Sequence, residues 1–224
     1  MVERSLRFSS KEDIMHYIPI FDIPIFLHKA KNHDKIKSWI MENAYPDYEK
    51  NGPNSDSLAN VYSDYFENAV QTDQKLMMEL YQEDFNSLFE FLNFPKNEWT
   101  VKPYFWYNFT GKGGYQEQHC HITSPLPVVF SAIHYIKFDP TQHRSASFLH
   151  PNEQIIRATY PSERMDLVPD YFKHLSRNPN VEEGDIIFFP SWLKHVVEKQ
   201  QSEELRISMA INIGIFDRQV FKGI

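Results

Sequence analysis

Three histidines and one arginine carry the chemistry that can be read from this chain. His119 and His121 stand one residue apart in QEQHCHITSP (116–125), just past the glycine-rich GKGG (111–114). Alternate residues of a strand point to one face. A strand here would present both imidazoles together, with Cys120 turned away and Glu117 on the shared face if the strand starts early enough. That suits two ligands on one metal, although an H-x-H pair alone is weak evidence and is more often a pair of ordinary surface or core histidines. His195 follows in GDIIFFPSWLKHVV (184–197), where an apolar run enters a Pro-Ser-Trp turn. A histidine so placed is either a satisfied structural group or the third ligand of a facial metal site. In LRISMAINIG (205–214), Arg206, Ser208, Ala210 and Asn212 fall on one strand face, and Ile207, Met209 and Ile211 on the other. An arginine in so apolar a strand is costly unless it meets an anion. Its planar fork fits a carboxylate bidentately, and Ser208 could add a hydroxyl to the same oxygens. The other reading is a salt bridge to an internal Asp or Glu.

These residues need strands to hold them, and the second half of the chain supplies strand-like runs. WTVKPYFWYNF, PVVFSAIHYIKF, DIIFFP and LRISMAINIGIF are short and β-rich, separated by turns. The first half reads differently. IPIFDIPIFLHKA (18–30) predicts an edge strand, because Pro19 and Pro24 interrupt it. DKIKSWIMENA (34–44) predicts a helix capped by Asp34, with Ile36, Trp39, Ile40 and Asn43 on one face. TDQKLMMELYQEDFNSLFEFLNF (72–94) predicts a long helix whose core stripe is Leu76, Leu80, Leu88 and Leu92. Helices followed by many short strands imply an α+β, mainly β fold, a jelly roll with N-terminal helices packed on one side. No linker separates the halves, so 1–224 is expected to be one domain, with a helical extension over about 1–98 and a jelly-roll core over about 99–216. The segment 150–180 is a candidate lid, or equally a structural flap, because inserts of this length between β-rich runs tend to be functional.

Composition narrows the function classes. A chain of 224 residues with 42% apolar and 15% aromatic content can bury a full core. A formal charge of −7 argues against nucleic-acid binding. One cysteine, Cys120, excludes an internal disulfide and thiolate-rich zinc sites. MVERSLRFSSKED lacks the apolar stretch of a secretory signal, and no apolar run reaches the ~18 residues of a membrane span. A cytoplasmic protein is expected, with no membrane partner. GKGG lacks the Lys-Ser/Thr ending of a phosphate loop and reads as a hairpin turn.

In their order along the chain, the H-x-H pair, the distal His195 and the R-x-S of Arg206 and Ser208 resemble the Fe(II)- and 2-oxoglutarate-dependent dioxygenases. Their usual pattern is H-x-D/E, a distal His, then Arg or Lys. The resemblance covers roughly Trp99 to Ile215, over half the chain. FPSWLKHVV and RISMAIN are similar to segments of the prolyl-hydroxylase-like branch, within it to a group of uncharacterised oxygenases. SAIHYIKF (131–138) looks like that branch's strand ending in Tyr-Tyr-Leu, with Tyr135 on the tyrosine that helps bind the cosubstrate's distal carboxylate and His134 on the tyrosine before it. Tyr107 or Asn108 lies where the branch often has another cosubstrate contact. The resemblance therefore implies a double-stranded β-helix, Fe(II) on His119, His121 and His195, 2-oxoglutarate held at its far carboxylate by Arg206 with Tyr135 and Ser208, and dioxygen as oxidant. It implies hydroxylation of a small-molecule or peptide substrate, a prolyl side chain being one class. One departure stands out: His121 replaces the carboxylate of H-x-D/E. Three neutral imidazoles leave the metal's double charge unbalanced, and imidazole suits iron well. A bound 2-oxoglutarate dianion could balance the charge, and Glu117 is the alternative ligand. Three other readings stay open. One is a cupin-type three-histidine enzyme that does not use 2-oxoglutarate. Another is a jelly-roll binding protein without catalysis. The last is a zinc hydrolase, for which Glu117 is the only nearby general base.

Overall fold

The structure is a computed structural model that describes residues 23–55, 58–66, 68–95, 98–122, 128–159 and 175–217. Among the described residues, ten strands form two antiparallel sheets. The larger runs in the order β1 (Phe26–Lys29), β8 (Asp185–Pro190), β5 (Val128–Lys137), β10 (Arg206–Asp217), β3 (Trp99–Thr110), β2 (Tyr62–Ser63). The smaller runs β4 (Gln116–His119), β9 (His195–Val197), β6 (Ser147–Leu149), β7 (Ser176–Arg177). This is the expected jelly-roll architecture. β10 lies at the centre of the larger sheet and pairs along its whole length with β3 and along most of it with β5. Both its faces are covered, which explains its near-continuous apolar sequence.

The two faces of the larger sheet line two cores. Ile207, Met209, Ile211 and Ile213 of β10 pack with Phe105, Tyr107, Phe109 and Phe188 under the N-terminal helices. Those helices are α1 (His33–Trp39), continued by a π-helical turn at Ile40–Ala44 into α2 (Tyr45–Asn51), then α3 (Gln74–Leu80) and α4 (Gln82–Phe91). The opposite face, with Ile133, Tyr135, Ile187 and Phe189, packs against Phe148 of the smaller sheet. The site lies on this second side, away from the helices.

Several expectations need correction. The helix foreseen over 72–94 is broken at Tyr81 (φ −91°, ψ 0°), whose hydroxyl is 2.6 Å from Nδ1 of the buried His134. That contact fixes Tyr81 in the core, and the buried stripe becomes Met77, Tyr81, Phe85, Leu88 and Phe89. Leu76, Leu80 and Leu92 are only half-buried. The break leaves α4 ending before Asn93, which takes a left-handed conformation at φ 51°. In α1, Ile36 and Ile40 are buried as expected and Trp39 half-buried, but Asn43 is exposed. Asp34 sits in the first turn, and Asn32 holds the cap position without capping the helix, its side-chain amide donating to the Leu80 carbonyl at 2.8 Å instead. The expected edge strand is β1, and 18–22 lie outside the described residues. GKGG is a turn but joins no hairpin, since β3 and β4 belong to different sheets. Within 150–180 the structure shows α5 (Glu153–Thr159) and β7, while 160–174 lie outside the described residues.

Candidate metal centre

The smaller sheet positions the histidines. His119 ends β4 and His195 begins β9, and the two are cross-strand partners. Their ring centroids are 4.3 Å apart. His121 lies beyond the end of β4, so strand alternation does not orient it. Its backbone N–H instead donates to the Ser191 carbonyl at 2.8 Å, on the turn that also delivers His195. Its ring comes within 5.2 Å of His119 and 5.0 Å of His195. The three can present ligand atoms all within 4.8 Å of one another, the one such cluster among the described residues. Glu117 is not in it. Its backbone carbonyl serves His119 instead, and its side chain is exposed.

The second nitrogen of each ring decides what the first can do. Nδ1 of His119 is 2.6 Å from the Glu117 carbonyl, and Nδ1 of His195 is 3.1 Å from the Leu193 carbonyl. A carbonyl oxygen only accepts, so each Nδ1 carries its proton and Nε2 keeps a free lone pair. Nδ1 of His121 meets Oγ of Ser131 at 2.9 Å and Oδ1 of Asn212 at 2.7 Å. Partners of this kind fix tautomer and orientation in metal-binding histidines. Burial, reinforced by the like charge of His119, pulls His121 down to about 4. Burial, with His119 and His121 adding to it, pulls His195 down to about 3, and burial also lowers His119. All three are neutral at pH 7, the form that binds a metal. The donor set therefore fits a divalent transition metal.

Arg206 opens β10 on the same face of the larger sheet and is 2% exposed. Its guanidinium carbon lies 5.6 Å from the centroid of the Tyr135 ring. Its Nε is buried without a hydrogen-bond partner. No ion pair among the described residues involves it. The salt-bridge reading of this arginine thus finds no partner there, and burial lowers its proton affinity. A buried guanidinium with Tyr135 as its hydrogen-bond partner, an unbonded Nε and no carboxylate among the described residues fits a carboxylate that arrives from outside.

The remaining predicted residues sort by face. Ser208 is buried and paired with Asn108 on one side and Tyr135 on the other. Tyr135 is fully buried, and its hydroxyl accepts from the Ala146 N–H at 3.2 Å. Tyr107 points to the helical core, where its hydroxyl donates to the Val70 carbonyl at 2.6 Å. Of the pair Tyr107 and Asn108, alternation therefore leaves Asn108 on the site side. His134 also faces away, bonded to Tyr81 and to His33 at 3.0 Å. A cavity of about 350 Å³ opens at the histidines, lined by Trp106, Asn108, Glu117, His119, His121 and Asn212 among others. Tyr65, 60% exposed, stands at its mouth with its ring 5.5 Å from Trp106. Cys120 also lines it rather than turning away as expected. Arg206, Ser208 and Tyr135 are not in this lining and lie deeper along the same strand faces.

Residues 104–212, which contain every residue of this site, match the family model described as "Putative 2OG-Fe(II) oxygenase". That stretch, just under half of the chain, is similar to the 2OG-Fe(II) oxygenase family. No curated protein matches the chain. Among solved structures, the chain superposes on a prolyl-4-hydroxylase from Pseudomonas putida at 11% identity and a TM-score of 0.51, covering 86% of this chain and 92% of that one. The non-heme alpha ketoglutarate dependent carbocyclase SnoK from nogalamycin biosynthesis aligns at 12% identity and 0.56, covering 86% and 79%. HygX from Streptomyces hygroscopicus, with nickel and 2-oxoglutarate bound, aligns at 13% and 0.54, covering 86% and 83%. At such identities the likeness is one of fold. No described helix is long and apolar enough to cross a membrane.

Proposed function

We propose that this protein is a 2-oxoglutarate-dependent oxygenase whose metal is held by His119, His121 and His195. Two features of the site carry the reading together, because one chemistry suits both. Three neutral imidazoles present free nitrogens on one spot, and one buried guanidinium on the same side of the sheet has no carboxylate partner among the described residues and an unbonded Nε. 2-Oxoglutarate answers both, since one end can chelate a metal and the other is a carboxylate.

Held there, Fe(II) with 2-oxoglutarate would use dioxygen as the oxidant, one oxygen atom ending in succinate as carbon dioxide leaves and the other in the hydroxylated substrate. The chain's own residues do the rest. Arg206 would take the far carboxylate bidentately, with Ser208 and Tyr135 beside it. Along β10 the face between Ser208 and Asn212 carries only Ala210, opposite Ile133, so the track from anchor to metal has a small side chain and no competing polar group. Asn108 stands at the junction between that track and the open cavity. The cosubstrate brings the negative charge that a carboxylate ligand would otherwise provide. The buried walls of Phe148 and Phe189 against His195 keep bulk water from that side.

The substrate would enter past Tyr65 and Trp106. Leu58, Ala59, Tyr65 and Phe66 make that mouth apolar, and it holds no Lys or Arg among the described residues. Such a mouth favours a neutral or aromatic-stacking small molecule or peptide segment over a phosphorylated one.

The test is anaerobic titration of the metal-free protein with Fe(II) and then 2-oxoglutarate, read by visible absorption. A metal-to-ligand charge-transfer band that grows with 2-oxoglutarate is the expected result. Iron binding without that band would refute the cosubstrate assignment and favour a three-histidine enzyme of another type. No iron binding would refute the site.

A further inference from the structure

We infer that Asn212, locked by Ser131, is the positioning residue that makes His121 a metal ligand. This rests on the metal reading above. His119 and His195 lean on backbone carbonyls, which no side-chain substitution removes. His121, the ligand that departs from the family pattern, leans on side chains alone. Its Nδ1 lies 2.7 Å from Asn212 Oδ1 and 2.9 Å from Ser131 Oγ, and Ser131 donates to Asn212 Oδ1 at 3.0 Å.

The amide's orientation is the key. With its oxygen toward the ring, Asn212 accepts from Nδ1–H, and Nε2 of His121 is left with its lone pair. With its nitrogen toward the ring, it would donate to Nδ1. The proton would move to Nε2, the atom that should bind the metal. Ser131 breaks this tie: with the amide oxygen toward the ring, Ser131 Oγ–H and His121 Nδ1–H can both donate to it, whereas with the amide nitrogen there two donors would compete for the one lone pair of Nδ1. Asn212 and Ser131 are cross-strand partners on β10 and β5, the rigid centre of the larger sheet. The arrangement thus ties a ligand at the rim of the smaller sheet to the centre of the larger one.

The test is Co(II) titration of the full chain, followed by its absorption spectrum, for wild type and for Asn212→Ala, Asn212→Asp and Ser131→Ala. The melting temperature of each metal-free protein is measured in parallel. Asn212→Ala should weaken Co(II) binding roughly 10- to 100-fold. Asn212→Asp should rescue it, because a carboxylate can only accept. Ser131→Ala should lower affinity more mildly, since it frees the amide to turn. A general structural role would lower the metal-free melting temperature of all three alike and would give no rescue by aspartate. If Asn212→Ala binds Co(II) as wild type does, the inference fails while the metal site stands. If Asn212→Ala does not fold, Ser131→Ala with undiminished affinity overturns the inference equally. Wild type that takes no Co(II) overturns the metal reading and the inference with it.

Discussion

Replacing Arg206 by methionine should separate stability from cosubstrate binding, with opposite signs. The guanidinium is 2% exposed and its Nε has no partner, so the metal-free protein carries the cost of desolvating it without full return. Methionine matches much of its length without that cost. Exchange of buried charge for apolar volume is commonly neutral or stabilising. The melting temperature of the metal-free variant should therefore equal or exceed that of wild type. Binding of 2-oxoglutarate should collapse. Two charge-assisted hydrogen bonds at about 1.5–3 kcal/mol each amount to roughly 3–6 kcal/mol, or about two to four decades of affinity. The assay is thermal unfolding with Ni(II) and increasing 2-oxoglutarate. At 100 times the dissociation constant, a ligand adds about 2.7 kcal/mol, which for a chain of this size raises the melting temperature by roughly 5–10 °C. Wild type should show that rise, and the variant at the same concentration should rise by no more than about 1–2 °C. A variant that keeps the rise would refute the assignment of Arg206 to the carboxylate. A metal-free variant that melts far below wild type would show that the arginine has a structural partner, and the argument from its unsatisfied nitrogen would fail.

Other outcomes follow from the same geometry. His195→Ala should abolish Co(II) or Fe(II) binding. His121→Asp should retain or strengthen it by restoring a charged ligand, and isothermal titration distinguishes the two; loss of metal in His121→Asp would mean that His121 does not occupy the carboxylate position. Ser208→Ala should weaken 2-oxoglutarate by about 1 kcal/mol, roughly fivefold, with metal affinity unchanged; an unchanged 2-oxoglutarate midpoint would remove Ser208 from the pocket. Asp84 is buried beside His28, and burial raises its carboxyl to about 6. Because the folded value lies above the unfolded one, its stabilising contribution is complete below about pH 4 and is lost as pH rises through about 6. Asp84→Asn should therefore gain roughly 2–3 kcal/mol over wild type at pH 7 and little at pH 4. Denaturant melts at both pH values decide this, and an equal effect at the two would refute it.

Much of the site was legible because its signals are local in sequence. His119, His121 and His195 announced themselves by residue type and spacing, and Arg206 by its cost in an apolar strand. Two-residue periodicity placed Asn212 on the face of Arg206 and Ser208, but nothing in the sequence said that its amide would meet His121. That contact depends on the register of β10 against β5, which is tertiary. Ser131 was missed for the same reason, although it lies four residues before Tyr135 on the same face. The carbonyls that orient His119 and His195 leave no trace in side-chain identity. Tyr107 and Asn108 could not be separated until the strand's phase was known. In the helices, leucine spacing misled because aromatic residues hold the core. The break at Tyr81 comes from its contact with His134, 53 residues away, with no glycine or proline to signal it.

The register that makes His119 and His195 direct partners has a mechanical side. β4 is a four-residue rim of the smaller sheet, joined to it through β9 and touching Ala59 by a single bridge at Gln116. So short a strand, lying at an edge, is where the sheet would peel first. A metal gripped by His119 and His195 would act as a rivet across that seam, with His121 pinning it to the turn after β8. Loading the metal should then slow hydrogen exchange of the β4 and β9 amides far more than that of β10. The catalytic centre and the clasp of the smaller sheet would be one object, and a depleted protein would fray there before it unfolds.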